Sequence, residues 1–236
     1  MTWIIAANTP YGFALVLSDI RVTWKRGKKV IRSENCLQKI YPVGNGVTGF
    51  AGSVTLGFRM INGITERIKR ESPSGNFSSA DLAATWLPRY LRHVHSKSTD
   101  GEQTLGAQVL IGNAHPHCIY DGSFPPLPVF ELLSFSAPRF EPRSGTHGIL
   151  SIGSGSAKLK DALARFSLMQ LDKSMVDTPS ILAFFLSTYF QDALREKPVD
   201  DVSEVFQYVI LRKGQTPQFV NLPYWVEFKG RERINY

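Results

Sequence analysis

Only two cysteines, Cys36 and Cys118, occur in this 236-residue chain. They could form at most one bridge, which excludes a disulfide framework and fits a reducing compartment, so the cytoplasm is the expected location. Long hydrophobic runs are missing too. The most apolar stretch, Ile181 to Phe190, contains Ser187 and Thr188 and is far too short to span a bilayer, so it reads as a buried helix and no membrane association is expected. The opening residues carry no basic segment, and Trp3 to Ala7 is too short for the apolar part of a signal peptide, which argues against export. Neither a repeat nor a low-complexity linker divides the chain, and a single domain over 1–236 is expected. With 43% hydrophobic and 20% charged residues, the composition excludes a disordered or fibrous class.

The formal net charge is +7, which makes an acidic partner worth weighing. The positive residues are scattered, however, over Lys25-Arg26-Gly27-Lys28-Lys29, Arg67/Lys69/Arg70 and Lys229/Arg231/Arg233. Such runs usually form solvated surface, and nucleic-acid binding is not expected. His93-Val94-His95 and His115-Pro116-His117-Cys118 lack a second ligand group at the spacing of a structural zinc site, so no metal or other cofactor is expected.

Two β-type runs, Trp3 to Ala7 and Phe13 to Leu17, open the chain around the turn-rich stretch Asn8 to Gly12. A second hairpin is predicted for Leu37–Val43 and Val47–Phe50 around Gly44-Asn45-Gly46, whose Asn-Gly step favours a primed turn. Val54, Phe58, Ile61, Thr65 and Ile68 then fall on one helical face, predicting about five turns. Ser78 or Ser79 caps a further helix through Leu82, Trp86, Tyr90 and Val94, which Pro88 should kink or shorten. Strand character returns at 106–111, 119–120, 129–133 and 148–152, with an exposed loop expected over 134–146. Leu159, Leu163, Phe166 and Met169 resume helical spacing, and Thr178-Pro179 opens a helix to about Glu196. Strands at 205–211 and 218–222 close the chain. This order predicts an α+β fold with two antiparallel sheets sandwiched between helix pairs, a four-layer αββα arrangement.

Polar residues planted among the apolar strands carry the chemistry. An isolated threonine hydroxyl is a poor nucleophile without a base in hydrogen-bond reach. Thr2, once Met1 is removed, would carry its own base in the α-amino group, whose ordinary pKa of roughly 7.7–8.0 leaves a substantial neutral fraction near neutral pH. Asp19 and Arg21 end the second strand, and a hairpin would return Asp19 to the start of the first. Lys39 sits inside the apolar stretch Leu37 to Val43, where a lone ammonium needs a partner, and Asp19 is the natural one. Gly49-Phe50-Ala51-Gly52 joins a strand to the helix at Val54, which suits an oxyanion hole at Gly52. Gly153-Ser154-Gly155-Ser156 also joins a strand to a helix, but it lacks the following lysine of a phosphate loop.

In order and approximate spacing, Thr2, Ser18-Asp19-Ile20-Arg21-Val22-Thr23, Gln38-Lys39-Ile40, Phe50-Ala51-Gly52 and Ser151 to Ser156 resemble the proteasome β-subunit family, closest to bacterial single-subunit homologues of the HslV and Anbu kind. The resemblance covers nearly the whole chain. It implies a threonine-type endopeptidase in which Thr2 attacks the peptide carbonyl, Lys39 tunes it, Asp19 holds Lys39 and Gly52 donates to the oxyanion. It also implies that Ser154 and Asp192 position the α-amino group and its water, while Thr23 and Phe50 contact the substrate. The implied partners are a peptide or unfolded protein substrate, identical subunits in stacked rings, and a ring-shaped ATPase unfoldase. The sequence departs from the family after Asp192, where Leu194 to Pro198 replaces the usual nearby Ser and Gly-Gly pair, leaving Ser203 as a stand-in. Trp3 replaces a small residue and is expected to narrow access, and with no propeptide in view, activation would need only methionine removal. Two rivals share these residues: an N-terminal-nucleophile amidohydrolase of a small amide, and a catalytically silent ring-forming subunit.

Overall fold

The protein is described by a computed structural model over residues 2–9, 12–26, 29–118, 128–144, 149–167 and 179–220. Side-chain alternation along the first strand sets the architecture. In β1 (Trp3–Asn8), Trp3, Ile5 and Ala7 belong to one apolar cluster, and Ile4 and Ala6 belong to another. Both faces are buried, which is why this strand and β2 (Phe13–Asp19) read as continuous apolar runs. β10 (Ile149–Gly153), β11 (Phe206–Arg212) and β12 (Gln218–Val220) complete an antiparallel sheet in the order β10-β1-β2-β11-β12.

A second antiparallel sheet contains β5 (Ile40–Val43), β6 (Gly46–Gly52), β7 (Ala107–Cys118), β8 (Pro128–Ser136) and β9 (Pro142–Ser144), in that order. The two sheets share a core in which Ile4, Ala6, Ala14 and Val16 meet Ile40, Val47, Ala51 and Leu110. The outer face of the first sheet packs Trp3, Leu15, Leu17 and Phe206 against α5 (Ser154–Lys158), α6 (Lys160–Ser167) and α7 (Pro179–Glu196). The second sheet packs Val109, Ile111 and Phe135 against α1 (Val54–Glu71), α2 (Ser79–Ala84) and α3 (Leu87–Ser96). A short α4 (Asp100–Leu105), closed by a Thr99–Glu102 capping box, leads into β7. No described helix is long and apolar enough to cross a membrane.

Several expectations change. Pro88 does not kink one helix: Ser78 caps α2, which ends at Thr85, and Pro88 sits in the first turn of α3, where its missing N–H costs nothing. In the second hairpin, Val43 pairs with Gly46, so Gly44 and Asn45 occupy the turn and the positive φ falls on Gly44 rather than on an Asn-Gly step. The segment expected as an exposed loop carries β8 to Ser136, then a turn whose Phe140 is fully buried, then β9. Of the basic run at 25–29, Lys25, Arg26 and Lys29 belong to a two-stranded ribbon, β3 (Arg21–Arg26) with β4 (Lys29–Asn35), which the sequence did not reveal. The predicted strand at 119–120, Met169, Thr178 and everything after 220 lie outside the described residues.

Candidate active site

The buried pair Asp19–Lys39 organises one end of the two sheets. β2 ends at Asp19 and β1 begins at Trp3, and antiparallel pairing sets these two residues beside each other. Asp19 Oδ1 accepts from the Trp3 backbone N–H at 2.7 Å, and its Oδ2 accepts from the Arg21 N–H at 3.0 Å. Lys39 Nζ donates to both carboxylate oxygens at 3.0 Å and to the Arg21 carbonyl at 2.5 Å. Both residues are essentially solvent-free, so the ammonium is fully engaged and the carboxylate is held by a cation and backbone donors together. Burial pushes the Lys39 pKa below the usual lysine range, and Asp19 opposes that shift without reversing it.

The pair therefore sits one peptide unit from Thr2, and Thr2 itself is 3% exposed. Thr2 lines a cavity of about 250 Å³ together with Gly52, Gln108, Ser136, Gly153 and Ser154. Gly52 ends β6 with φ +106, and a Cβ there would lie 2.2 Å from the Gly106 carbonyl oxygen, so only glycine fits this turn. Ser53 immediately follows and caps α1 through the Leu56 N–H, which brings the positive end of an 18-residue helix next to Gly52.

Gly153 is fixed even more tightly. It pairs with Trp3 across β1 and β10, its φ is +94, and a Cβ would lie 1.8 Å from the Thr2 carbonyl oxygen. Ser154 Oγ donates to that same oxygen at 3.4 Å, so Ser154 reaches Thr2 on its carbonyl. Gly153→Ala is expected to displace Thr2 and to cost about 1–3 kcal/mol of stability from the disfavoured backbone conformation. Denaturant unfolding measures this; a variant as stable as the parent would contradict the contact.

Of the residues singled out from sequence, the structure brings together Thr2, Asp19, Lys39, Gly52 and Ser154. Asp192 is not among them. It lies in α7 between Phe190 and Leu194, which face the sheet, so its own side chain is turned outward, where it pairs with Arg195 at 3.2 Å. The chain instead approaches Asp19 further on: the Ser203 N–H donates to Asp19 Oδ2 at 3.4 Å, and Ser203 Oγ accepts from the Ile20 N–H at 3.3 Å. Arg21 Nη1 reaches the Asp200 carbonyl at 3.2 Å, which draws the same segment inward. The sequence hinted at Ser203 only as the serine following the altered segment.

Thr23 lies in β3 opposite Ser33, with its hydroxyl buried and without a hydrogen-bond partner among the described residues. Phe50 does not open onto the Thr2 cavity. Its ring packs against Phe58 and fills the space where Gly57 lacks a side chain. Trp3 does not narrow access either: it points away from the cavity, edge-on to Phe190, with its indole N–H donating to Ser151 Oγ at 2.9 Å. Gly155 makes room for that indole, since a Cβ there would lie 2.2 Å from the ring. Gln108, which sequence reasoning passed over, lines the cavity and accepts from the Gly153 N–H at 2.6 Å. Among the described residues, no three His, Cys, Asp or Glu side chains cluster as a metal site.

No protein-family model and no curated protein sequence matches this chain. Among solved structures it is similar to the crystal structure of eukaryotic HslV from Trypanosoma brucei, with a TM-score of 0.54 and 17% identity, covering 89% of this chain and 99% of that one. The chain therefore has the fold of HslV.

Proposed function

We propose that this protein is a threonine-type endopeptidase whose nucleophile is the Thr2 hydroxyl, working once Thr2 is the first residue of the mature chain. The observation that carries this reading is the Asp19 carboxylate, which ties the Lys39 ammonium and the Trp3 N–H together beside Thr2. The fold is read as a single domain over 1–236 with four αββα layers, to which the three apolar cores lend support.

In this mechanism the free α-amino group of Thr2 takes the proton as Oγ attacks the peptide carbonyl carbon. The positive charge of Lys39 lowers the amine pKa and favours its neutral form. The tetrahedral oxyanion accepts from the Gly52 N–H beside the start of α1. Collapse breaks the C–N bond, and the α-ammonium returns the proton to the leaving amine, leaving an ester on Thr2. Water then attacks the ester with the amine again as base, releasing the carboxylic acid. Ser154 holds the Thr2 carbonyl and Ser203 supports Asp19; Thr23, whose hydroxyl is buried, and the outward-turned Asp192 have no direct part. Phe50 acts from within the packing beside the site.

The natural assembly in this reading is a pair of stacked homo-oligomeric rings that admit peptides or unfolded protein, fed by a ring-shaped ATPase. The small cavity beside Thr2 also suits a small-amide amidohydrolase. Native mass measurement separates the two, because rings that enclose Thr2 exclude folded proteins and a monomer does not. Processing is checked on the purified chain: intact mass and N-terminal sequencing are expected to find Thr2 first. A population that retains residues before Thr2 while still turning over peptide would sink the amine-base mechanism.

A further inference from the structure

We infer that Gln108 is a positioning residue for the nucleophile, acting through the Gly153–Ser154 turn; the inference rests on the peptidase reading above. Gln108 belongs to β7 of the second sheet, opposite Ala51 on one side and Ser136 on the other. Its side chain leaves that sheet and meets the first one. Oε1 accepts from the Gly153 N–H at 2.6 Å, and Nε2 donates to Ser136 Oγ at 3.1 Å. The orientation of the amide is forced, because a backbone N–H can only donate and so must face the oxygen.

This hydrogen bond spans the two sheets at the end where Thr2 lies. Gly153 carries the consequence to Thr2. It has no room for a Cβ against the Thr2 carbonyl oxygen, and Ser154 donates to that same oxygen. The turn that supports Thr2 is thus held from the opposite sheet by one amide group, while β10 itself pairs only with β1 among the described strands. A catalytic group displaced by about 1 Å loses on the order of a hundredfold in rate, so a residue that never touches the reacting atoms can still control them.

Gln108→Leu removes the acceptor and leaves the Gly153 N–H unpaired. Gln108→Glu keeps an acceptor for Gly153, lets Ser136 donate to the other oxygen, and places a carboxylate in the wall of the Thr2 cavity. The parent and both variants are compared by hydrogen exchange over residues 149–158, by kcat and KM on a short peptide, and by the rate of Thr2 labelling with an electrophilic inhibitor across pH. For Gln108→Leu we expect faster exchange at Gly153, kcat and labelling reduced roughly tenfold or more, and KM within about threefold of the parent. Gln108→Glu is expected to restore protection at Gly153 and to recover most of the labelling rate. It also moves the acid limb of the rate profile to higher pH, because a nearby anion stabilises the protonated α-amino group. That shift reports only that position 108 lies near the α-amino group; the loss of kcat and labelling at a nearly unchanged KM in Gln108→Leu is what a purely structural role would not produce.

If the parent is labelled at Thr2 and Gln108→Leu is labelled equally fast, the positioning role is overturned while the peptidase reading stands. Unchanged exchange at Gly153 in Gln108→Leu overturns it as well. A parent that carries no label at Thr2 overturns the peptidase reading, and this inference with it.

Discussion

Thr2→Ala is expected to eliminate peptide hydrolysis, with a loss of about a thousandfold or more, and to eliminate covalent labelling by threonine-directed electrophiles. The size of the effect follows from the role: the hydroxyl is the only group in the proposed mechanism that forms a bond to the substrate. The fold should persist, because Thr2 precedes β1 and its truncation removes two heavy atoms at the edge of a cavity rather than within a core cluster. Thr2→Ser retains the hydroxyl and the amine and is expected to keep a measurable part of the rate. Peptide mapping after inhibitor treatment places the label in the parent and in the serine variant. Label on any residue other than Thr2, or a Thr2→Ala variant that still turns over peptide, would refute the assignment.

The largest effect on stability is expected from Lys39→Met. Methionine can fill the space of the aliphatic stem, but it strands the Asp19 carboxylate at 0% exposure, with the N–H groups of Trp3, Arg21 and Ser203 as its remaining donors. Breaking a buried pair on one side costs about 3–5 kcal/mol. The double variant Asp19→Asn/Lys39→Met removes both charges and should recover part of that loss, so a double-mutant cycle by denaturant unfolding measures the coupling. Simple additivity of the two single losses would deny that the pair acts as a unit. Activity should collapse in Lys39→Met and in the double variant, since the cation that favours the neutral amine is gone.

The same pair sets a pH signature. Because the Lys39 pKa is lowered in the folded chain, the unfolded chain holds the extra proton between the folded and the usual lysine value. Stability contributed by this group therefore rises with pH through that window, and Lys39→Met should lack this component of the slope. Activity under the proposed mechanism is expected to run the other way, falling on the alkaline side as the Lys39 cation is lost, at a pH below the usual lysine range.

What could be read from sequence was whatever burial forces into a pattern. The β1–β2 hairpin was legible because both strands are apolar on both faces, and a lone lysine in an apolar stretch had to find an anion, which led to Asp19. The helix at Val54 was legible from its apolar spacing, but the stripe read from sequence, Val54, Phe58, Ile61, Thr65 and Ile68, lies to one side of the one that is buried, Leu56, Met60, Ile64 and Ile68. Of the stripe read from sequence, only Ile61 and Ile68 are buried. The β3–β4 ribbon was not, because β4 is mostly exposed, with Val30 and Ile31 facing solvent, and no buried face imposes alternation. Asp192 was placed by order along the chain, yet the helical period of Leu182, Leu186, Phe190 and Leu194 already turns position 192 away from the sheet. Gln108 left no signal, since a single amide crossing between sheets has no period.

The two-sided burial of β1 makes the site intolerant of imprecise trimming. If cleavage ran one residue too far, Trp3 would become the terminus, and the strand could not slide forward to compensate. A one-residue slip would exchange Trp3, Ile5 and Ala7, which face the helices, with Ile4 and Ala6, which face the opposite sheet. The indole would then have to enter the space that Ile4 and Ala6 occupy between the sheets. Under the proposed mechanism the first strand thus has one productive frame, and a chain trimmed to Trp3 is expected to be inactive rather than slower.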